Sequence, residues 1–252
     1  MLKKWILLVT CFVSLTVSAA TSVDNPMVMR FREGVNYKKL DYINRSQPPV
    51  NQLLEKSAGK IQVVEFFNYG CHWCNMLDPY VLKWLKTKPA SVDFVRVPVM
   101  FNPAWETYGK AYYTEVLLGV EDKIHSPLFD AIHAKGQDLS TADAMRQFFI
   151  AQGVAAAKFD GMFDSFSVAH EMKQADALSR AYQITAVPAI IVNGKTQSYM
   201  TDTGMAGDGK TVFDIVDFII QQDKAVPAVA AAEADAAKSM PASTSNAIKK
   251  TK

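Results

Sequence analysis

The apolar positions of this chain change period several times, and the changes mark out its elements. Ile61-Gln62-Val63-Val64-Glu65-Phe66-Phe67 is a short β-rich run bounded by Lys60 and by Asn68-Tyr69-Gly70. It reads as a buried, interior strand. From Cys71 the period lengthens. Met76, Leu77, Tyr80, Val81, Trp84 and Leu85 recur at helical spacing, with Pro79 inside the run as an expected kink. Val92 to Val99 returns to strand character and ends at or near Pro98. From about Pro103 to Tyr182 the pattern is almost wholly helical. Its apolar faces run through Ala111, Tyr112, Val116 and Leu117, through Leu128, Phe129 and Ile132, and through Met145, Phe148 and Phe149. Asp138-Leu139-Ser140 offers an N-cap for one of these helices. Ala189 to Val192 is a further strand, and Asn193-Gly194 after it predicts a hairpin. Val212, Ile215, Val216 and Ile219 give a last helix its apolar face.

Strand, helix, strand, helical block, hairpin, helix: this order predicts an α/β fold with a helical insertion. The insertion is larger than an ordinary connecting loop and is expected to pack as its own subdomain. The two ends lie outside the fold. Met1-Leu2-Lys3-Lys4, an apolar run from Trp5 to Val17 and Ser18-Ala19-Ala20 have the three parts of a secretory leader. The run is too short to span a bilayer comfortably, so cleavage after Ala20 and export are expected. The expected division is therefore a leader over 1–20, an α/β unit over 21–101 and 183–225, and a helical insertion over 102–182. The remaining segment, 226–252, is rich in Ala, Ser and Thr and carries few large apolar residues. It is expected to be disordered.

Composition narrows the function. Apolar residues make up 49% and charged residues 21% of the 252, which excludes disorder of the whole chain. The formal net charge is +2, and loss of Lys3 and Lys4 brings the 27 basic side chains level with the 25 acidic ones. That balance gives no footing for nucleic-acid binding. Of three cysteines Cys11 leaves with the leader, so Cys71 and Cys74 remain in a compartment where disulfides persist.

Cys71-His72-Trp73-Cys74 sits where a strand gives way to a helix. A helix N-terminus offers free N–H groups and partial positive charge, so the Cys71 thiol should ionise more readily than a free thiol. Cys71 is expected to be the exposed nucleophile and Cys74 the resolving thiol one turn inside. His72 and Trp73 are placed to modulate them. A purely structural disulfide closing so short a loop would constrain the unfolded chain little. A structural zinc site wants four ligands, and His125, His133 and His170 are scattered through the helical block. Neither a metal nor an organic cofactor is implied.

Glu65, inside an apolar strand, is either a buried acid able to exchange a proton with Cys74, or a structural residue that points to a solvated face or pairs with Arg96. Val187-Pro188 precedes the Ala189 strand, and on frequency alone its peptide bond reads as trans. Gly204 to Thr211 fits a phosphate-loop pattern, but too little chain follows to complete a nucleotide-binding sheet.

Together, the leader, Glu65-Phe66-Phe67, Cys71-x-x-Cys74, the helical block, Leu118 to Phe129 and Val187-Pro188 resemble the DsbA-type thiol:disulfide oxidoreductases of the bacterial periplasm. The resemblance runs from about Arg30 to about Gln222. It implies a thioredoxin fold with an inserted all-helical subdomain. It also implies a cis Pro188 facing the cysteine pair, Val187 binding substrate main chain, and Glu65 as the family's buried acid with Arg96 as its basic partner. The partners it implies are reduced exported proteins and a DsbB-type, quinone-linked membrane protein that reoxidises the pair. His72-Trp73 departs from the familiar Pro-His dipeptide. Each pKa unit of thiolate stabilisation is worth about 1.4 kcal/mol, equivalent to about 30 mV of oxidising power. The expected function is therefore a periplasmic dithiol oxidase. A reductase or isomerase would use the same residues with a more reducing pair, and a non-enzymatic peptide- or metal-binding module is the reading of a different class.

Overall fold

The computed structural model describes residues 31–57, 59–194, 197–201 and 209–223. The expected leader (1–20) and tail (226–252) lie outside these residues, as does most of the phosphate-loop look-alike.

In chain order the elements are β1 (Tyr37–Lys39), α1 (Val50–Lys56), β2 (Ile61–Phe67), α2 (His72–Leu85) and β3 (Val92–Pro98). Five helices follow: α3 (Pro103–Leu118), α4 (Glu121–His133), α5 (Ala142–Ala151), α6 (Ala156–Met162) and α7 (Phe166–Ala181). The chain then returns through β4 (Ala189–Asn193) and β5 (Ser198–Thr201) to a helix over 209–223, here α8. The strands form one mixed sheet in the order β1-β5-β4-β2-β3. β2 runs parallel to β3 and antiparallel to β4. This is a thioredoxin fold with a helical insertion between β3 and β4.

Every residue of β2 is buried, because both faces of the sheet are covered. Ile61 and Val63, with Ile190 and Val192 of β4, face Leu77, Val81 and Trp84 of α2 and the apolar stripe of α8. Val64 and Phe66, with Ile191, face the opposite way. There they join one continuous cluster with Leu53 of α1 and with Ile124, Leu128, Phe149 and Phe159 of the insertion. The insertion therefore shares its core with the sheet instead of closing one of its own.

Several local expectations shift. The hairpin is present, but Asn193 belongs to β4 and pairs with Ser198, and the Gly194 N–H donates to the Gln197 carbonyl at 2.9 Å, so Asn193-Gly194 is not the centre of the turn. Asp138 holds the N–H and hydroxyl of Ser140, and the cap of α5 is Thr141, whose hydroxyl accepts from the Ala144 N–H. On α2, Met76 and Tyr80 are exposed. On α3, Leu117 is exposed while Glu115 is buried, so the inward stripe includes an acid that the apolar pattern passed over. β1 and α1, too short and too polar to show a period, were not foreseen.

Phe149 is fully buried in the shared core. Phe149→Ala should destabilise the protein by about 3–5 kcal/mol. Denaturant unfolding followed by far-ultraviolet circular dichroism and by tryptophan fluorescence should give one coincident transition at a lower midpoint. Two separated transitions would mean that insertion and sheet unfold independently.

Candidate active site

The loop between β2 and α2 is built by Asn68. Its side-chain oxygen accepts from the Gly70 N–H at 2.9 Å, and its amide donates to the carbonyls of Val99 and Trp105 at 2.9 and 3.2 Å. The Cys71 N–H donates to the Asn68 carbonyl at 3.0 Å. The turn is thereby stitched to the chain beyond β3 and to α3. Gly70 is required by close approach: a Cβ there would lie 2.8 Å from Trp105 Nε1 and 3.0 Å from the Tyr108 ring.

Cys71 is the N-cap of α2, and its Sγ accepts from the Cys74 N–H at 3.2 Å. Both cysteines stand as free thiols. The Cys71 thiol donates to the Val187 carbonyl at 3.4 Å, and the Val187–Pro188 bond that follows is cis. The structure thus brings Cys71, Cys74 and Val187-Pro188 together across some 116 residues of sequence separation. Cys71 is 7% exposed, more recessed than the exposed nucleophile expected, and Cys74 is 0% exposed. His72 and Trp73 face solvent with their rings edge-on at 5.3 Å.

The two thiols are pushed apart in acidity. A hydrogen bond from the Cys74 thiol is the largest influence on Cys71, and the backbone N–H groups of Cys74 and Trp73 add to it. Together they outweigh burial and lower Cys71 to about 7. The helix-end amides expected from the sequence contribute, but the partner thiol leads. Burial, then the donation to Cys71, holds Cys74 well above an ordinary thiol.

Glu65 is buried and is also the ion-pair partner of Arg96. Its Oε2 accepts from Arg96 Nε at 2.9 Å, and burial pushes its carboxyl up against the pull of Arg96. Its charge also acts on both cysteines. Arg96 Nη2 donates at 2.9 Å to Asp78, four residues beyond Cys74 on the same helix. Asp78 in turn receives His125 Nε2 at 3.1 Å. Among the described residues no group of His, Cys, Asp and Glu has the arrangement of a metal site.

A family model described as the DSBA-like thioredoxin domain matches residues 62–219. The chain belongs to this DsbA-like family. It is 37% identical over 186 residues to the thiol:disulfide interchange protein DsbA of Pseudomonas aeruginosa, covering 73% of this chain and 84% of that protein. With the protein of the same name from Azotobacter vinelandii the identity is 39% over 166 residues, or 66% and 76% of the two chains. The crystal structure of Pseudomonas aeruginosa DsbA superposes with a TM-score of 0.68 at 34% identity, over 78% of this chain and 96% of that one.

Within this DsbA-like frame, four side chains near the cysteines escaped the sequence reading: Asp78, Glu115, His125 and Tyr69. A signal for three of them exists. Cys74, Leu77, Asp78 and Val81 form one helical stripe; Tyr108, Ala111, Tyr112 and Glu115 form another; Ile124, His125, Leu128 and Phe129 form a third. In each, one ionisable residue occupies an inward position.

Two outcomes follow. Alkylation of the reduced protein should rise with pH about a midpoint near 7 and map to Cys71 alone, read by mass spectrometry. Equal labelling of Cys74 in native protein would contradict the geometry. Because the Cys71 thiol is depressed from 9.0 to about 7, the reduced form carries a stabilisation that is full above pH 9 and is lost as pH falls through about 7. Separately, Arg96→Met leaves Glu65 buried without its cation and Asp78 with His125 alone. It should cost about 3–5 kcal/mol, measured as a shift in denaturant midpoint.

Proposed function

We propose that this chain is an exported dithiol oxidase, which introduces disulfides into reduced proteins by exchange through Cys71 and Cys74. The observation that carries the reading is the placement of Cys71. Its sulfur caps α2, lies 3.4 Å from the Val187 carbonyl beside cis-Pro188, and covers a Cys74 shut off from solvent. The names of the relatives and their structures as thiol:disulfide interchange proteins support the same chemistry.

A substrate thiolate attacks Cys71 Sγ of the oxidised pair. The Cys71–Cys74 bond breaks, a mixed disulfide forms at Cys71, and Cys74 leaves and takes up a proton. Its burial favours that protonated form, and Glu65 is the nearby acid that exchanges the proton. A second substrate thiolate then attacks the mixed disulfide. The substrate leaves oxidised, and Cys71 remains as a thiolate stabilised at the helix end. Val187 and Pro188 present backbone to the substrate segment next to its cysteine. A solved structure of Proteus mirabilis DsbA carries a non-covalently bound peptide, which supports peptide binding at such a surface. His72 and Trp73 tune the thiolate from the solvent side. Regeneration of the disulfide falls to a DsbB-type, quinone-linked membrane partner. Export through cleavage after Ala20, with the thioredoxin-like unit over 21–101 and 183–225 and the insertion over 102–182, completes the proposal.

The test is the redox equilibrium of residues 21–252 with glutathione, together with two variants. An oxidase should be reduced by glutathione well before a structural disulfide would be. Cys71→Ser should abolish oxidation of a reduced model protein, and Cys74→Ser given oxidised glutathione should accumulate a mixed disulfide at Cys71, with one reduced glutathione released. A pair that stays oxidised at high glutathione would point to a reductase or isomerase. Peptide binding unaffected by Cys71→Ser, with no oxidation by wild type, would leave a binding module.

A further inference from the structure

Beside the cysteines lies a cluster that thiol exchange does not itself consume. Tyr69, two residues before Cys71, is gripped at both ends by the helical insertion. Its hydroxyl donates to Glu115 Oε1 at 2.5 Å and lies 2.5 Å from His125 Nδ1. Its carbonyl accepts from His133 Nε2 at 2.7 Å. His125 Nδ1 is also 3.2 Å from Glu115 Oε1, and its Nε2 is 3.1 Å from Asp78 Oδ1. Both ring nitrogens of His125 therefore face carboxylate oxygens. Nδ1 also meets the Tyr69 hydroxyl, so His125 is a bridge between two buried carboxyl groups that can hold a proton on either ring nitrogen or on both. Glu115 is 0% exposed, and its Oε2 has no hydrogen-bond partner among the described residues.

We propose that Glu115, His125 and Tyr69 are a positioning cluster of the redox centre, a proton-holding group set by the insertion against the Cys71 loop that governs how readily the cysteine pair is reduced. The inference rests on the dithiol reading above. A substrate dithiol supplies two electrons and two protons as its own disulfide forms. The Cys71–Cys74 bond breaks, Cys74 keeps one proton as a thiol, and Cys71 stays a thiolate. The second proton is released to solvent or taken up by a nearby base. A thiolate at Cys71 tightens the hold on a proton at His125, and by reciprocity a protonated His125 favours the reduced pair.

The groups facing His125 are Asp78 on α2, Glu115 and Tyr112 on α3, and Tyr69 on the loop. Arg96 and Glu65 stand beyond Asp78, and Glu121 acts on Glu115 from the start of α4. Burial alone would make His125 harder to protonate, but the hydrogen bonds to Asp78 and Glu115 outweigh it and raise its proton affinity. The contribution to oxidising power therefore needs a protonated His125 together with an ionised Cys71: it is lost as pH rises through the His125 titration, and also as pH falls through about 7, where Cys71 takes up its proton.

The experiment compares wild type, His125→Gln and Glu115→Gln in glutathione equilibria from pH 5 to 9. Labelled imidazole resonances are followed by NMR in the oxidised and reduced proteins. His125→Gln should weaken oxidising power most near neutral pH, by at least about fivefold, and converge on wild type at the alkaline end. Glu115→Gln should lower the His125 titration. In wild type that titration should lie at higher pH when the pair is reduced. A wild type-to-variant ratio that is constant with pH, or the same His125 titration in both redox forms, would overturn the proposal. If His125→Gln does not fold, the wild-type titration decides alone. If wild type fails to exchange with glutathione at any pH, the dithiol reading itself falls, and this inference with it.

Discussion

Helix α2 is capped by a sulfur atom, and the cap has to remain chemically available. An ordinary N-cap oxygen settles one of the free amides of the first turn and is worth about 1 kcal/mol of stability. Cys71 Sγ takes that place and receives the Cys74 N–H, but it binds more favourably as a thiolate than as a thiol or half of a disulfide. The capping contact thus has different strengths in the two redox states. Much else in the molecule holds this one atom in register: Asn68 closing the preceding turn, Gly70 admitting Trp105, and the Val187 carbonyl across the gap.

Behind the sulfur lies a connected group of buried ionisable side chains. Glu65, Asp78 and Glu115 are all buried, with Arg96 and His125 among them. Each acid comes from a different element, so the arrangement ties β2, α2 and α3 to β3 and α4. Buried ion pairs recover at best part of their desolvation cost, which makes this a poor way to gain stability. What it does supply is a set of fixed charges close to a sulfur whose own charge changes during turnover.

The alternation of Ile61 and Val63 against Val64 and Phe66, the break at Asn68-Tyr69-Gly70 and the period from Leu77 to Trp84 were legible because burial on a sheet face or helix stripe dictates them. The cysteine pair was legible because two thiols at that spacing on a helix start have few other uses. What escaped was polar and inward-facing. Apolar periodicity placed Leu117 inside and ignored Glu115, because a single-residue pattern has no means of knowing that His125 and Tyr69 await an acid there. Likewise the histidines of the helical block looked scattered along the chain, yet His125 and His133, two turns apart on α4, close on the same tyrosine. Partnerships between elements distant in sequence are a product of the tertiary fold, and one sequence alone does not contain them as a visible signal.

His72 and Trp73 project into solvent, whereas Gly70 on the other side of Cys71 has no room for even a methyl group. The two flanks of the nucleophile therefore differ in their freedom to vary. On the outward flank the only ring contacts among the described residues are His72 with Trp73 and His72 with His133, so a change of side chain there disturbs little packing. The loop in front of it is locked into the scaffold. Sequence change is therefore cheap on one flank of the nucleophile and costly on the other, and the parts that aim the sulfur lie on the costly side.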